Sequence, residues 1–312
     1  MSAADWMKDL PPEVRSTQPL TQLVIPGSHN SFTYYLDRTL PVGPDTDKGV
    51  RRIGNRLPCA KPVIDRWSKC QRMGIAEQLN NGIRYLDMRV GILPTKHVRG
   101  QNIIGESKTK KFRVLHALYG QTIWTPLDDV KNFLNNHTHE AIILDIQHTY
   151  SFEESDHAFL VEKIETIFCG KLCPKNEDLS KLTLDRISEK GYQIIVIYHK
   201  MAKSGSNFMW PRSSCPNPWA NTEYIEELEP FLRKGLIERD NNVLFVSQAL
   251  LTPTFRTIRW KLLSSLENSL ATTCDAFIVK WLSEEPSNIN IVIADFVEKD
   301  NIIKLLTSMN KL

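Results

Sequence analysis

Seven short apolar runs recur along the chain, and longer helix-like patterns separate them. The runs are rich in Ile, Val and Leu and lack strict polar alternation, which is typical of parallel strands covered on both faces. They lie at residues 23–25, 85–90, 113–118, 141–147, 193–198, 243–246 and 289–295. The pattern predicts an α/β fold in which helices return the chain between parallel strands.

The stretches between these runs predict the helices and two long loops. Helices are expected at residues 67–81, 126–136, 152–168, 222–234, 254–269, 275–284 and 297–306. Segments 37–66 and 201–221 are predicted to be irregular, and loops of that length are often functional. Residues 1–312 therefore form one predicted (β/α)8 barrel, with the strand that is hardest to locate near Trp219. A doubly wound open sheet is the alternative, which the lack of a G-x-G-x-x-G motif disfavours.

Composition narrows the classes of partner. The formal net charge is +3, from 39 basic and 36 acidic residues, so no nucleic-acid partner is expected. The densest basic stretches, 48–56 and 108–111, are predicted to be solvated loops. Residues 1–10 lack the apolar core of a secretory signal, and the six Cys lack zinc-ligand spacing. A cytoplasmic protein with reduced thiols is expected.

Polar side chains follow the ends of several predicted strands. His29 follows the first strand, Asp87 and Arg89 end the second, His116 ends the third and Asp295 ends the last. Polar residues at the carboxyl ends of barrel strands converge on one mouth, where catalytic residues lie. Singly, each has a plainer interpretation: a structural His, a helix cap or an ion pair within one strand. We expect their coincidence at one end to be functional.

These residue types suit phosphodiester cleavage without a metal. Two His can divide the work of general base and general acid, and Arg89 can stabilise charge on phosphate oxygens. A carboxylate such as Asp295 can fix the tautomer of a neighbouring His and favour its charged form.

The motifs resemble the X region of phosphatidylinositol-specific phospholipase C, and more closely the animal PI-PLC X domain-containing proteins. The resemblance covers essentially the whole chain. It is carried by Ile25-Pro-Gly-Ser-His-Asn-Ser31, the stretch from Glu77 to Arg89 and Val114-Leu-His116. It implies a single-domain distorted TIM barrel that cleaves phosphatidylinositol to diacylglycerol and a cyclic inositol phosphate.

The resemblance also implies roles for the site residues. His29 would be the general base on the inositol 2-hydroxyl, His116 the general acid, and Arg89 the stabiliser of the transition state. Asp295 would orient His29, and Asp87 would support the site by hydrogen bonding. Asn30 is a catalytic-site residue where metal-independent relatives carry an Asp that assists the second His. Ala117 stands where Gly usually follows that His.

The same resemblance implies which residues bind the substrate and whether a metal is needed. Arg89 and Gln147 replace two anionic ligands of the calcium-dependent relatives, so no metal and no other cofactor is expected. The residues predicted to bind the headgroup are Asp145, Gln147, Tyr198, His199 and Asn221.

The predicted partner is a phosphoinositide lipid, reached by transient peripheral contact with a membrane, and no obligate protein partner is expected. Aromatic side chains suit a membrane interface, although packing under a loop is an equal alternative for them. The candidates are Phe32, Tyr34, Tyr35, Phe208, Trp210 and Trp219, with Met209. A catalytically weak or inactive phosphoinositide-binding protein is the second hypothesis, and a barrel phosphodiesterase for another headgroup is the third.

Overall fold

One sheet organises the molecule. The computed structural model describes residues 2–94, 109–200, 206–284, 286–299 and 301–310, and within these ranges nine strands join the sheet. The strands are β1 (Ile25–Ser28), β2 (Tyr85–Ile92), β3 (Phe112–His116), β4 (Leu118–Thr122), β5 (Ile142–Tyr150), β6 (Ile194–Tyr198), β7 (Met209–Trp210), β8 (Val246–Gln248) and β9 (Ile291–Ala294).

Helices connect the strands along the chain. They are α1 (Pro12–Thr17), α2 (Lys48–Arg56), α3 (Lys61–Ser68), α4 (Ile75–Asn80), α5 (Trp124–Asn136), α6 (Glu154–Ile167), α7 (Leu184–Glu189), α8 (Ile225–Glu238), α9 (Phe255–Trp260), α10 (Thr272–Ser283) and α11 (Ile302–Ser308). Polar side chains start several of them: Asp47 accepts a hydrogen bond from the N–H of Gly49 at 2.7 Å, and Thr254 accepts from the N–H of Thr257. None of the helices in the described ranges is long and apolar enough to cross a bilayer.

The parallel strands follow one another around a curled sheet. Their order is β7-β6-β5-β2-β1-β9-β8, so β1 joins the early and late parts of the chain through its parallel pairs with β2 and β9. Within the described residues, the recorded strand pairs leave the ring open between β7 and β8. This arrangement confirms the predicted distorted α/β barrel, and the described ranges contain seven parallel strands where eight are predicted.

Both faces of this sheet are buried. Ile143 and Ile195 pack inside the barrel, whereas their neighbours Leu144 and Val196 pack against the surrounding helices. Successive side chains of a strand point to opposite faces, so both sets must be apolar. This is the physical reason why the strands show no polar alternation in the sequence.

The third predicted strand, 113–118, is wrong as a barrel strand. Its residues form parts of β3 and β4, an antiparallel hairpin attached to the edge of β2. The chain reverses at Ala117, whose φ of 58° lies in the left-handed region. A local reversal between two apolar runs gives the same pattern as one continuous strand, so periodicity alone could not detect it.

Other element boundaries also differ from the prediction. The predicted strand near Trp219 is wrong, because the short strand is β7 and the Trp219 side chain is 53% exposed. The predicted helix 67–81 is interrupted between α3 and α4, and the predicted loop 37–66 contains α2 and most of α3. Residues 201–205 of the second predicted loop and Lys108 of the basic stretch lie outside the described residues.

Candidate active site

The ends of β1 and β9 bring His29 and Asp295 together. Ser28 pairs with Ala294 across these parallel strands, and the next residue of each strand is His29 or Asp295. The Nδ1 atom of His29 lies 2.7 Å from Oδ1 of Asp295, and both side chains are buried. Because a carboxylate only accepts hydrogen bonds, Nδ1 carries the proton, and in the neutral ring Nε2 keeps its lone pair.

Asn30 occupies the sharp turn after β1. Its backbone is left-handed, with φ of 43°, and its N–H donates to Oδ2 of Asp87 at 2.9 Å. This bond holds the turn against the end of β2. The side-chain nitrogen of Asn30 lies 3.0 Å from Nε2 of His29 and 3.6 Å from the sulfur of Cys70. Asn30 therefore contacts the first His and is separated from His116 by Cys70.

Arg89 projects from β2 towards the same imidazole. Its terminal nitrogen lies 3.4 Å from Nε2 of His29 and 3.9 Å from Oδ2 of Asp87. The register between β2 and β5 shifts at this point, since Met88 pairs with Ile146 but Arg89 pairs with His148. Such bulges re-aim side chains at barrel rims. A cation is thus fixed where an anionic phosphate would meet the lone pair of His29.

The hairpin returns His116 to the site. Strand β3 runs back along β2, with Val114 beside Val90, so its last residue approaches the mouth from outside the ring. Nδ1 of His116 donates to the carbonyl oxygen of Ser68 at 2.7 Å, and the ring lies edge-on to His29 with 6.3 Å between centroids. Desolvation, followed by the charge of Arg89, lowers the pKa of His116 to about 3. His116 is therefore neutral at pH 7.

A cavity of about 530 Å³ unites these groups. His29, Arg89, His116 and Asp295 line it, and Asn30 and Asp87 lie directly behind them. Substrate therefore has access to both imidazoles and to the guanidinium from one opening.

The predicted headgroup residues divide into two groups. Gln147 and His199 line the cavity. Asp145 lies buried beneath them, bonded to the hydroxyl of Tyr85 at 2.5 Å and 2.9 Å from Nε2 of His199. Burial raises the pKa of Asp145, and the contacts with His199 and Tyr85 oppose this rise.

Tyr198 and Asn221 do not reach the cavity, which corrects two predicted headgroup contacts. Tyr198 pairs with Ile146 in the β5–β6 register and so points outward, where its hydroxyl bonds Nδ1 of His157. Residues of one strand alternate between faces, so only His199 of this pair turns inward. Asn221 is exposed in a left-handed turn at φ of 51° outside the cavity wall.

Some cavity residues carried no signal in the sequence. Asp45 lies in a segment predicted to be a loop, and its Oδ2 accepts from the N–H of Ala117 at 2.6 Å. His148 reaches the cavity next to Gln147 because of the shift in register, which alternation does not predict. Cys70 approaches His116, with 3.8 Å between its sulfur and Nδ1.

The described residues contain one cluster with metal-ligand atoms, and it suits calcium poorly. Atoms of His29, Cys70 and Asp295 lie within 4.8 Å of one another. Calcium takes six to eight oxygen ligands, whereas this set supplies one carboxylate. Burial raises the pKa of the Cys70 thiol well above its ordinary value, so the sulfur stays protonated. Arg89 adds a positive charge beside the cluster.

Most of the aromatic residues expected at a membrane are buried, so that prediction is wrong for them. Phe32, Phe208 and Trp210 are each less than 5% exposed because they pack in the two main cores. Met209 is also buried and Tyr34 is half-buried, whereas Tyr35 and Trp219 are about half exposed.

Known proteins that are similar to this chain over most of its length share one family name. The PI-PLC X domain-containing protein 2 of Mus musculus is 36% identical over 99% of this chain and 88% of its own length. The protein of that name from Homo sapiens is 38% identical over 91% of this chain and 87% of its own length. No family model matches.

Solved structures share the fold at lower identity. The phosphatidylinositol-specific phospholipase C of Listeria monocytogenes covers all of this chain and is itself fully covered, with a TM-score of 0.67 and 18% identity. A Staphylococcus aureus phosphatidylinositol-specific phospholipase C, solved in work on its membrane binding, gives 0.65 and 19%, covering 100% of this chain and 98% of its own. At these identities the likeness establishes the barrel alone.

Proposed function

The chain belongs to the family of PI-PLC X domain-containing proteins, and from that membership we propose that it cleaves phosphatidylinositol-type lipids. The products are diacylglycerol and a cyclic inositol phosphate, and the reaction uses acid–base catalysis without a metal. The observation that carries the proposal is the 2.7 Å contact between Nδ1 of His29 and Asp295, which leaves Nε2 as a base.

The first step begins at Nε2 of His29, which takes the proton of the inositol 2-hydroxyl. The freed oxygen forms a bond to phosphorus, and the bond from phosphorus to the glycerol oxygen breaks. His116 gives the proton that this leaving oxygen requires. Asp295 stabilises the imidazolium that forms on His29, 2.7 Å away. Proton transfer by a placed imidazole contributes about 10²–10⁴-fold to the rate.

Arg89 acts on the phosphorus centre during this step. Negative charge builds on the non-bridging oxygens as the fifth bond forms, and a guanidinium in a water-poor site stabilises it strongly. The 3.4 Å contact between Arg89 and Nε2 of His29 keeps the cation beside the attacking oxygen.

Water opens the cyclic product in a second step, with the proton transfers reversed. His116, now neutral, takes a proton from water, and protonated His29 returns one to the inositol 2-oxygen. Both imidazoles are restored and inositol phosphate leaves. Gln147 and His199 line the cavity on the β5–β6 side and are the proposed contacts for the inositol ring, with Asp145 beneath them holding His199.

A second candidate function has an observation of its own in support. Desolvation and the charge of Arg89 lower the pKa of His116 to about 3, so the ring is almost entirely neutral at pH 7 and lacks the required proton. A site with so little acid fits a slow enzyme, or a protein that binds phosphoinositides in the same cavity without cleaving them. Substrate phosphate favours the catalytic alternative, because its negative charge raises the pKa of a nearby imidazole.

Hydrolysis of phosphatidylinositol in mixed detergent micelles tests the proposal. We expect wild type to release diacylglycerol and His29→Ala to release none above background. His139→Ala is the matched control, because His139 is exposed and its ring nitrogen bonds Ser188 far from the cavity. Equal rates for wild type and His29→Ala would overturn the enzymatic proposal. Binding of the lipid without cleavage would support the second candidate.

A lipid substrate lies in a membrane, so an enzyme that cleaves it has to act at the membrane surface. The Staphylococcus aureus enzyme was solved in work on its membrane binding. The proposal therefore includes transient peripheral contact, on the cytoplasmic side of a membrane.

A further inference from the structure

Residues 36–46, which we call the strap, run along the outer edge of the β3–β4 hairpin. Within the described part of the chain, this hairpin joins the sheet on one side only, through the pairing of β3 with β2. Leu36 of the strap forms a bridge with Gly120 of β4. Val42 forms another with Leu118, so the strap lies beside β4. The strap therefore supports the side of the hairpin that the sheet does not.

The strap packs closely against this hairpin and is itself anchored. A Cβ atom at Gly120 would lie 2.5 Å from the carbonyl oxygen of Tyr35, so only Gly lets the two backbones approach. Val42 packs with Leu118 in a small buried cluster. Asn55 of α2 holds the strap from the other side, since its Oδ1 accepts from the N–H of Val42 at 2.7 Å. The strap is thus a fixed support for the hairpin.

The end of the strap binds both backbone polar groups of the turn at Ala117. The N–H of Gly43 donates to the carbonyl oxygen of Ala117 at 2.7 Å. The N–H of Ala117 donates to Oδ2 of Asp45 at 2.6 Å. Ala117 needs this support, because its φ of 58° lies in the left-handed region, where a Cβ atom is crowded. His116 precedes Ala117 directly, so these two bonds determine where the backbone of His116 lies.

A further bond determines where the imidazole of His116 points. Nδ1 of His116 donates to the carbonyl oxygen of Ser68 at 2.7 Å, so Nε2 is the atom that gives a proton in the proposed reaction. Proton transfer requires a heavy-atom distance of about 2.6–3.2 Å. A displacement of about 1 Å can therefore cost about 10²-fold in rate. The turn at Ala117 has to hold His116 within that tolerance.

Asp45 holds this turn at a cost that a merely structural contact would not need. It lines the cavity, and its Oδ1 atom is buried without a partner among the described residues. Burial of a carboxylate oxygen without a hydrogen bond is unfavourable. In return, hydrogen bonds from a backbone N–H to a carboxylate are roughly twice as strong as neutral ones. The arrangement favours a rigid turn next to His116 over the lowest energy of the strap.

We propose that Asp45 is a positioning residue for the cleavage step. By holding the N–H of Ala117, it fixes His116 within proton-transfer distance of the leaving glycerol oxygen. The inference rests on the proposed function, because it concerns the acid of that reaction. It follows that Asp45 is required only where the leaving oxygen needs a proton.

Two substrates with different leaving groups test this role. Phosphatidylinositol in detergent micelles needs a proton on its leaving oxygen, whereas the 4-nitrophenyl ester of inositol 1-phosphate releases a stable anion that needs none. We expect Asp45→Ala to lower kcat on phosphatidylinositol by about 10²-fold, with KM little changed. Its rate on the aryl ester should change little, and His116→Ala should show the same selectivity. An equal loss on both substrates, or no loss on either, would overturn the proposal.

Asp45→Asn tests whether the hydrogen bond is what matters. The side-chain oxygen of Asn can still accept from the N–H of Ala117, so this variant should cleave phosphatidylinositol clearly faster than Asp45→Ala. Equal rates for the two variants would contradict a positioning role, since the charge would then be what the reaction needs. Asp240→Ala is the matched control. Asp240 also accepts a backbone N–H, that of Asn242 at 2.8 Å, but in an exposed turn outside the cavity wall, so this variant should match wild type.

Amide hydrogen exchange of the hairpin separates this proposal from the proposed function, because it needs no substrate. Asp45→Ala should speed exchange across residues 112–122 relative to wild type, and Asp240→Ala should not. Unchanged exchange in Asp45→Ala would overturn the positioning role even in an active enzyme. If wild type cleaves neither substrate, the proposed function fails, and faster exchange in Asp45→Ala would still show that Asp45 holds the hairpin of His116.

Discussion

The side-chain nitrogen of Asn30 lies 3.0 Å from Nε2 of His29, on the edge of the ring opposite Asp295. The amide therefore engages the lone pair of the base, and a substrate hydroxyl has to displace it. The oxygen Oδ1 of Asn30 is buried and has no partner among the described residues. Rotation of the amide would let this oxygen accept from protonated His29, so Asn30 can serve both protonation states.

Asp295→Asn should lower kcat by about 10²–10⁴-fold with little change in KM. The amide nitrogen of Asn can donate to Nδ1, which moves the proton to Nε2 and removes the base. Steady-state hydrolysis of phosphatidylinositol micelles measures both constants. Asp128 is an exposed carboxylate on α5, so Asp128→Asn is the control and should leave kcat and KM unchanged. An unchanged kcat for Asp295→Asn would show that the 2.7 Å contact has no catalytic role.

The depressed pKa of His116 predicts the alkaline side of the pH profile. Above a pKa of about 3, each pH unit lowers the protonated fraction of this acid tenfold. We expect kcat/KM, which reports the free enzyme, to fall about tenfold from pH 7 to pH 8. His116→Ala should abolish this dependence along with most of the rate. A flat profile between pH 7 and pH 9 would rule out His116 as the acid.

Metal removal should leave activity unchanged. Arg89 lies 3.4 Å from Nε2 of His29 and 3.9 Å from Asp87, so a fixed cation already stands where a metal would act. Hydrolysis should be equal in chelator and in added calcium, whereas Arg89→Ala should lower kcat by about 10²–10³-fold. Arg212→Ala is a useful comparison, because this second cavity arginine should affect binding more than kcat. Stimulation by calcium would contradict the metal-independent mechanism.

The sequence predicted those parts of the site that follow from strand ends. The sequence predicts His29 at the end of the first strand and Asp295 at the end of the last, where a strand that leads into a turn places the next side chain at the mouth. The parallel pairing of β1 with β9 brings these two ends side by side. The apolar run before His116 predicts a barrel strand, but His116 reaches the cavity from a hairpin that lies outside the ring. A short apolar run has the same sequence pattern whether it forms a barrel strand or part of a hairpin.

Side-chain direction at the strand ends was harder to predict. The sequence predicts headgroup contacts for both Tyr198 and His199. Neighbours in a strand face opposite ways, however, and only the β5–β6 register shows which one enters the cavity. The shift in register beside Arg89 has the opposite effect and lets Gln147 and His148 reach the cavity together. Both outcomes depend on the register between strands that are distant in the sequence, which the local sequence pattern does not determine.

Ala117→Gly should stabilise the protein by about 1 kcal/mol. Ala117 adopts φ of 58°, where a Cβ atom is crowded and Gly is free of strain. Ala141→Gly is the control. Ala141 is buried just before β5 and does not have a positive φ, so its replacement by Gly should destabilise the protein. Urea denaturation measures both changes in the free energy of unfolding. Equal destabilisation by the two replacements would argue against strain at the hairpin.

Asn30→Asp should raise the rate of phosphatidylinositol hydrolysis at pH 7 by at least about tenfold. The new carboxylate would lie beside Nε2 of His29, which Arg89 also approaches, so it would offset the charge of Arg89. That charge is the second cause of the low pKa of His116, after desolvation. Its neutralisation raises the pKa, and each unit gained increases the protonated fraction tenfold at neutral pH.

The gain in Asn30→Asp must come through His116 if this reasoning is right. The alkaline limb of kcat/KM should move to higher pH, and the double variant Asn30→Asp/His116→Ala should lose the whole gain. Asn221→Asp is the matched control, because Asn221 is also left-handed but lies outside the cavity wall. A slower Asn30→Asp enzyme with an unmoved alkaline limb would mean that the amide is needed on His29, and that the missing charge does not limit His116.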